Sequence, residues 1–243
     1  MSVPEISFKP LYNGAFFILC MVRLKSMKIS PDVRLMVAIP TMGSINTNLV
    51  ARLLKWKHAI PAHQLHFYFA INVAPVDRAR NQIVDVFLNT KTPDGFPLTH
   101  LLMIDSDTIP EDDAIERLLS HGKPVVSGLT PIINFDEKTK QWETFDNCFV
   151  EVVTDENGEK RTNIPERHTG LHKIIRCGGS CLLIHRKVFN VLTKPYFRFD
   201  YNEDATVHKR SEDIYFCDKV REAGFDIFAD SDVTCAHEKK IVI

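Results

Sequence analysis

The run Leu101-Leu102-Met103-Ile104-Asp105-Ser106-Asp107 constrains this chain more than any other. A short, unbroken apolar stretch that ends abruptly in polar residues reads as a strand buried on both faces, as in a parallel sheet covered by helices. Residues i and i+2 of a strand point to the same side, so Asp105 and Asp107 are expected roughly 6.5–7 Å apart at its carboxyl end. Ligands of open α/β sheets gather at that end. Two oxygen-only ligand groups there suit Mg²⁺ or Mn²⁺ carrying a phosphate. The same acids also read as the entry to a helix, because Pro110, Glu111, Asp112 and Asp113 follow and acids favour helix N-termini. The segment alone leaves both readings open.

Its surroundings alternate strand and helix. Leu35–Ile39, closed by Pro40, is the first strand, and a small polar loop, 41–46, leads into a helix from about Thr47 to Lys57. Leu65–Ile71 is a second strand. Asp77 is placed to N-cap a helix with Ile83, Val84, Phe87 and Leu88 as its buried stripe. A helix from about Glu111, with Ile115, Leu118 and Leu119 inward and Gly122 as its stop, precedes a fourth strand at Val125–Ser127. This spacing argues for βαβ units and a mostly parallel sheet. The second half differs. Residues 135–170 are polar, with Asp155-Glu156-Asn157-Gly158 as a turn in a hairpin or excursion. Ser180–Ile184 reads as a buried strand, Arg186–Leu192 as a short helix and 195–210 as irregular. A helix N-capped by Ser211 runs to Ala223, and short strands at Ile227–Ala229 and Val233–Cys235 close the chain.

At 243 residues the chain suffices for one large domain. Residues 1–30 are read as an N-terminal extension and 31–243 as a single domain with halves at 31–130 and 131–243. The formal net charge of −1 gives no electrostatic reason to expect a nucleic acid or an anionic membrane as main partner. Six scattered cysteines, no Asn-x-Ser/Thr triplet, no signal peptide and no membrane span point to reduced thiols and a cytoplasmic location. The apolar run 14–22 is too short to span a bilayer. It reads as a strand or helix packing on the domain, or as a weak interfacial anchor beside Arg23, Lys25 and Lys28.

Three further features carry chemistry. Asp77-Arg78-Ala79-Arg80-Asn81 starts a helix with two guanidinium groups, a pattern that suits phosphate. Ser211-Glu212-Asp213 sets a carboxylate pair at another helix start. His237 follows the last strand and could serve a borderline cation such as Mn²⁺. His168 and His172, four apart in a polar stretch, form a weaker metal candidate. Trp142, Tyr196, Phe197, Phe199 and Tyr201 could stack on a sugar or simply pack, and the stretch 198–210 could close as a lid.

Taken in order, Val37-Ala38-Ile39-Pro40-Thr41, Ala79-Arg80-Asn81, Met103 to Asp107, Gly178-Gly179-Ser180 with the following Cys181 to Ile184, Ser211-Glu212-Asp213 and His237 resemble GT-A-fold glycosyltransferases. The likeness is nearest to family 2-like and compact viral or phage members. It implies an α/β fold with a mostly parallel central sheet flanked by helices, and a smaller β region on the acceptor side. It also implies residue roles. Asp107 and His237 would hold Mn²⁺ or Mg²⁺, with Asp105 near the ribose or on the metal through water. Pro40, Thr41, Arg78, Arg80, Asn81, Asp105 and Ser106 would meet the nucleotide. Gly178, Gly179 and Ser180 would let backbone approach the sugar. Asp213 would be the general base, with Glu212 as fallback. The implied reaction moves a sugar from a nucleoside-diphosphate sugar to a hydroxyl of a glycan, lipid-linked sugar, protein or modified base, with inversion. A metal-dependent nucleotidyltransferase also sets paired acids at a strand end, although no Gly-rich phosphate loop is present. A silent carbohydrate-binding protein of the same fold is the non-enzyme alternative.

Overall fold

The computed structural model describes residues 27–136, 139–154, 160–204 and 208–238. The first half forms β1 (Leu35–Thr41), α1 (Thr47–Ala59), β2 (Leu65–Ile71), α2 (Val76–Asn89), β3 (His100–Ile104), β4 (Thr108–Pro110), α3 (Ala114–Ser120) and β5 (Val125–Leu129). The second half adds the strands Leu171–Ile174, Cys181–His185 and Ile227–His237, with α4 (Arg186–Phe189) and α5 (Glu212–Glu222).

These strands make one eight-stranded sheet, ordered Leu171–Ile174, Ile227–His237, β5, Cys181–His185, β3, β1, β2, with β4 pairing the far end of Ile227–His237. β1 is parallel to β2 and β3, and Ile227–His237 is parallel to β5. The Cys181–His185 strand runs antiparallel between β3 and β5, so the second half completes the sheet begun by the first. Alternation along β3 feeds two cores. Leu101 and Met103 join Ile83, Val84 and Phe87 of α2 and Phe216 and Val220 of α5. Leu102 and Ile104 join Leu49, Leu53 and Trp56 of α1 and Ile115 and Leu118 of α3. Both faces are thus covered, as an unbroken apolar strand requires.

Several boundaries differ from expectation. β1 runs through Pro40 to Thr41, because β3 stops flanking it after Ala38 and a missing donor is tolerated there as on an edge. Pro75, not Asp77, is the N-cap of α2, and Asp77 Oδ1 instead accepts from its neighbour Arg78 N at 2.8 Å. Leu88 and Leu119 are half-buried. α3 begins at Ala114, since Glu111 turns aside to accept from Thr234 Oγ1 at 2.7 Å. α4 ends at Phe189. The two final strands are one, Ile227–His237, whose register shifts between Asp230 and Thr234. The polar stretch holds two hairpins, Pro131–Asp136 with Gln141–Asp146 and Glu151–Thr154 with Lys160–Asn163. The turn expected at 155–158, like the segment 1–26, lies outside the described residues. The stretch 195–210 includes a small antiparallel pair, Asp200–Tyr201 with His208–Arg210.

Leu102 has no exposed surface at the centre of the sheet. Leu102→Ala is expected to cost about 2–5 kcal/mol in urea unfolding. A loss below about 1 kcal/mol would contradict the two-sided burial of β3.

Candidate active site

A cavity of about 660 Å³ opens at the carboxyl ends of β1 and β3, within the size range of small-molecule sites. It is lined by Pro40, Thr41, Arg80, Asp105, Ser106, Asp107, Gly178, Gly179, Ser180, Glu212, Asp213 and His237. Residues widely separated in sequence therefore meet in one place. The pleated-strand geometry expected of Asp105 and Asp107 does not hold, because β3 ends at Ile104. Asp105-Ser106-Asp107 is a turn closed by Thr108 N donating to Asp105 O at 3.0 Å. The two carboxylates consequently face different partners.

Asp105 belongs to Arg80. The buried face of α2 that carries Ile83 and Val84 also carries Arg80 one turn earlier, which drives its side chain beneath the cavity at 3% exposure. Its Nη2 donates to Asp105 Oδ1 at 2.9 Å, its Nε to Glu212 Oε1 at 3.2 Å and its Nη1 to Gly179 O at 3.0 Å. Burial works against its charge, but Asp105, Glu212 and Asp213 outweigh that and raise its pKa. Burial pushes the Glu212 carboxyl up, Arg80 opposes the shift and Asp213 adds to it. Arg80 is therefore a cation with three protein oxygen acceptors, and it also lines the cavity where contact with the nucleotide was expected.

Asp107 belongs to His237. Nε2 of His237 lies 3.3 Å from Asp107 Oδ2, and Nδ1 lies 2.7 Å from Pro131 O. A carbonyl only accepts, so Nδ1 must donate, which leaves Nε2 as the ring nitrogen that faces Asp107 and could serve a cation. The pairing is reinforced by Glu238 N donating to Asp107 O at 3.0 Å. An oriented imidazole beside a carboxylate fits a divalent cation. Among the described residues no three His, Cys, Asp or Glu side chains form a closed metal cage. A cation here would take its remaining ligands from phosphate and water, as Mg²⁺ commonly does.

Asp213 sits in the first turn of α5 and lines the cavity. Ser211 occupies the N-cap position, yet its hydroxyl makes no capping bond and donates to Asp213 Oδ1. Ile214 N donates to the same oxygen at 2.7 Å. Among the described residues the other carboxylate oxygen accepts no hydrogen bond. Glu212, by contrast, is held by Arg80.

The glycines serve neighbours as well as the cavity. A Cβ on Gly179 would lie 2.6 Å from Arg80 Cζ, and one on Gly178 would lie 2.5 Å from Asn147 Nδ2. Their smallness thus makes room for side chains packed behind them. Asn147, which sequence reasoning missed, is buried and ties the region together. Its Nδ2 donates to Ser180 Oγ at 2.8 Å, its Oδ1 accepts from Thr130 N at 3.1 Å, and its carbonyl accepts from Gly178 N at 2.9 Å. Nothing in the polar stretch around Asn147 marks it out. Met42, Val73, Ala74 and Val76 form an unpredicted apolar wall.

Two expected contacts are not brought to the cavity. Arg78 is exposed and is not among the residues that line it. Asn81 donates to Asp77 O and Phe197 O, both at 2.7 Å, and accepts from Tyr196 N at 2.8 Å, so it secures the 196–197 segment instead. His172 lies in the strand Leu171–Ile174, where its Nε2 meets Thr169 Oγ1 at 2.7 Å, and His168 sits in a turn at φ 62°, so the helix that would bring a pair at this spacing together does not form. Tyr196 and Phe197 are core residues, and Trp142 packs on Phe135 at 5.1 Å. The five described cysteines are free, buried thiols.

No family model and no curated protein sequence matches this chain. Solved structures do. The crystal structure of A197 from STIV aligns with a TM-score of 0.57 at 18% identity, covering 86% of this chain and 87% of that one. GalNAc-T7, crystallised with UDP, GalNAc and Mn²⁺, aligns with a TM-score of 0.54 at 12% identity. This alignment covers 86% of the present chain but only 44% of GalNAc-T7. The likeness gives the chain a GT-A-like glycosyltransferase fold.

Two outcomes test the Arg80 bridge. Gly179→Ala is expected to cost about 1–3 kcal/mol through the forced shift of Arg80, and unchanged urea unfolding would rule the packing out. The raised pKa of Glu212 means that the native state holds its proton more tightly than the unfolded chain. The resulting stability is complete below the ordinary value of 4.5 and is lost as pH rises through the folded-state value. Relative to Glu212→Gln, the wild type is therefore expected to lose stability as pH rises above 4.5. The opposite slope would contradict the burial of this carboxyl.

Proposed function

We propose that this chain is a metal-dependent glycosyltransferase that moves a sugar from a nucleoside-diphosphate sugar to an acceptor hydroxyl with inversion. The observation that carries the reading is that the oriented Asp107–His237 pair and the Asp213 carboxylate line one cavity at the carboxyl end of the sheet. The fold supports it, and so does the charge of the cavity. Four carboxylates (Asp105, Asp107, Glu212 and Asp213) line it, and among the described lining residues only Arg80 and His237 are basic. Arg80 is already shared between Asp105 and Glu212. A diphosphate entering beside Asp107 would meet net negative charge unless a cation came with it.

A divalent ion held by Asp107 and His237 Nε2 would supply that charge and stabilise the departing diphosphate. The chain's own residues do the rest. Arg80 fixes Asp105 at the turn and Glu212 at the start of α5, so the two sides of the cavity keep their relative position. The Met42, Val73, Ala74 and Val76 wall offers an apolar surface to a nucleobase. Asp213, with one oxygen fixed by Ser211 and Ile214, uses the other to accept the proton of the acceptor hydroxyl. The hydroxyl oxygen forms the new bond to the anomeric carbon as the bond to the diphosphate breaks. GalNAc-T7 was crystallised with UDP and Mn²⁺, which makes UDP-sugars with Mn²⁺ the first donors to test.

In a thermal-shift screen of nucleoside-diphosphate sugars, a shift that requires Mn²⁺ and disappears in Asp107→Ala is expected with at least one donor. A ligand at a hundred times its Kd would stabilise the chain by about 2.7 kcal/mol. With that donor, Asp213→Asn should keep the shift and lose about 10²–10⁴-fold in transfer or donor hydrolysis. No shift with any donor would remove the transferase reading. Full turnover by Asp213→Asn would remove only the base assignment.

A further inference from the structure

The lining of the cavity changes chemistry across the sheet. The strands run β5, Cys181–His185, β3, β1, β2 in order. Met42, Val73, Ala74 and Val76 line the cavity beyond the carboxyl ends of β1 and β2, and Asp105 and Asp107 follow β3. On the other side Ser180 precedes Cys181, the partner of Ile104, and Thr130 follows β5. There the lining is Thr130, Ile132, Asn147 and Ser180. A nucleotide sugar with its base on the apolar wall and its phosphates at Asp107 therefore extends its sugar towards this last group.

The hydrogen bonds of that group fix the direction of its protons. A backbone N–H only donates, so the Asn147 amide atom that meets Thr130 N at 3.1 Å is the oxygen, and Cys148 Sγ donates to the same atom at 3.6 Å. The NH₂ end then faces Ser180 Oγ at 2.8 Å, and Ser180 must accept. Its hydroxyl proton is left over. Among the described residues neither that proton nor the second N–H of Asn147 Nδ2 has an acceptor, although Asn147 and Ser180 are only 4% and 6% exposed. Two donors without acceptors thus stand in a nearly closed part of an otherwise acidic cavity.

We propose that Ser180 and Asn147 form a subsite for the carbonyl oxygen of an N-acetylated donor sugar. The proposal rests on the transferase reading above, with a UDP-sugar as donor. A carbonyl oxygen has two lone pairs and no proton, so it takes both donors and leaves nothing unpaired. A sugar hydroxyl brings a proton of its own, for which this pair has no acceptor. A phosphate also only accepts, but its charge would be drawn to the cation on Asp107 and His237 and repelled by the four carboxylates of the cavity. Ile132 lines the same cavity and offers apolar surface to the acetyl methyl. The arrangement also accounts for Gly178, because a Cβ there would lie 2.5 Å from Asn147 Nδ2 and displace the amide that orients Ser180.

Calorimetric titration in Mn²⁺ tests this with two matched pairs, UDP-N-acetylglucosamine against UDP-glucose and UDP-N-acetylgalactosamine against UDP-galactose. In at least one pair the N-acetylated donor is expected to bind about tenfold more tightly, as two hydrogen bonds of ordinary net strength would give. Ser180→Ala should reduce that ratio to about threefold or less, while the affinity for UDP alone changes by less than about threefold. Asn147→Asp, which presents an acceptor where Nδ2 donated, should turn the Ser180 proton away from the cavity and lower the ratio as well. Equal affinities within both pairs, or a preference indifferent to Ser180→Ala, would overturn the proposal and leave the transferase reading standing. If Ser180→Ala weakened UDP as much as the N-acetylated donor, the hydroxyl would belong to the nucleotide and the proposal would fail. Binding of none of the four donors would remove it together with the UDP-sugar reading on which it rests.

Discussion

The site depends on one guanidinium. Arg80 is buried beneath the cavity and is held at once by Asp105 after β3, Glu212 at the start of α5 and the Gly179 carbonyl. Three elements far apart in sequence are thereby locked at one point. Removing one partner of such a buried group is expensive, because the remaining charges lose their compensation. The same bridge explains the adjacent sequence. Gly179 must lack a side chain because Arg80 occupies its space, and Glu212 is committed to structure, which leaves Asp213 as the carboxylate facing the cavity with one oxygen unclaimed.

Charge then divides the labour. Arg80 offsets one of the two charges of Asp105 and Glu212, and among the described residues no Arg or Lys pairs with Asp107 or Asp213. Asp107 is paired with an imidazole whose proton is fixed on the far nitrogen by Pro131 O. Asp213 is oriented by Ser211, whose hydroxyl forgoes the usual capping role. Under the proposed function one acid would take the cation and the other the proton, on the carboxyl-end surface where open α/β sheets bind ligands.

What the sequence made legible follows from how local each signal is. The apolar run at 101–104, the alternation of strands with helices and the acids after β3 are written in short contiguous windows, and each appears in the fold. Asn147 carries no local signal, because its importance lies in the chain segments it joins, Thr130, Gly178 and Ser180. Arg78 and Asn81 shared the helix start that suggested phosphate contact, yet rotation about α2 sends only Arg80 inward. The single strand Ile227–His237 looked like two, since Asp230, Ser231 and Asp232 interrupt its apolar pattern. Tertiary pairing explains why it continues. Asp230 Oδ2 lies 2.7 Å from His121 Nε2, and Ser231 accepts from Thr169 N at 2.9 Å.

The central claim is that the cavity accepts a nucleoside diphosphate only together with a divalent ion seated on Asp107 and His237. Electron paramagnetic resonance of Mn²⁺ titrated with the protein tests this directly. With UDP present, the free-Mn²⁺ signal is expected to fall far more in wild type than in Asp107→Ala or His237→Ala. Equal loss of signal in all three proteins, or UDP binding undiminished in EDTA, would contradict the account.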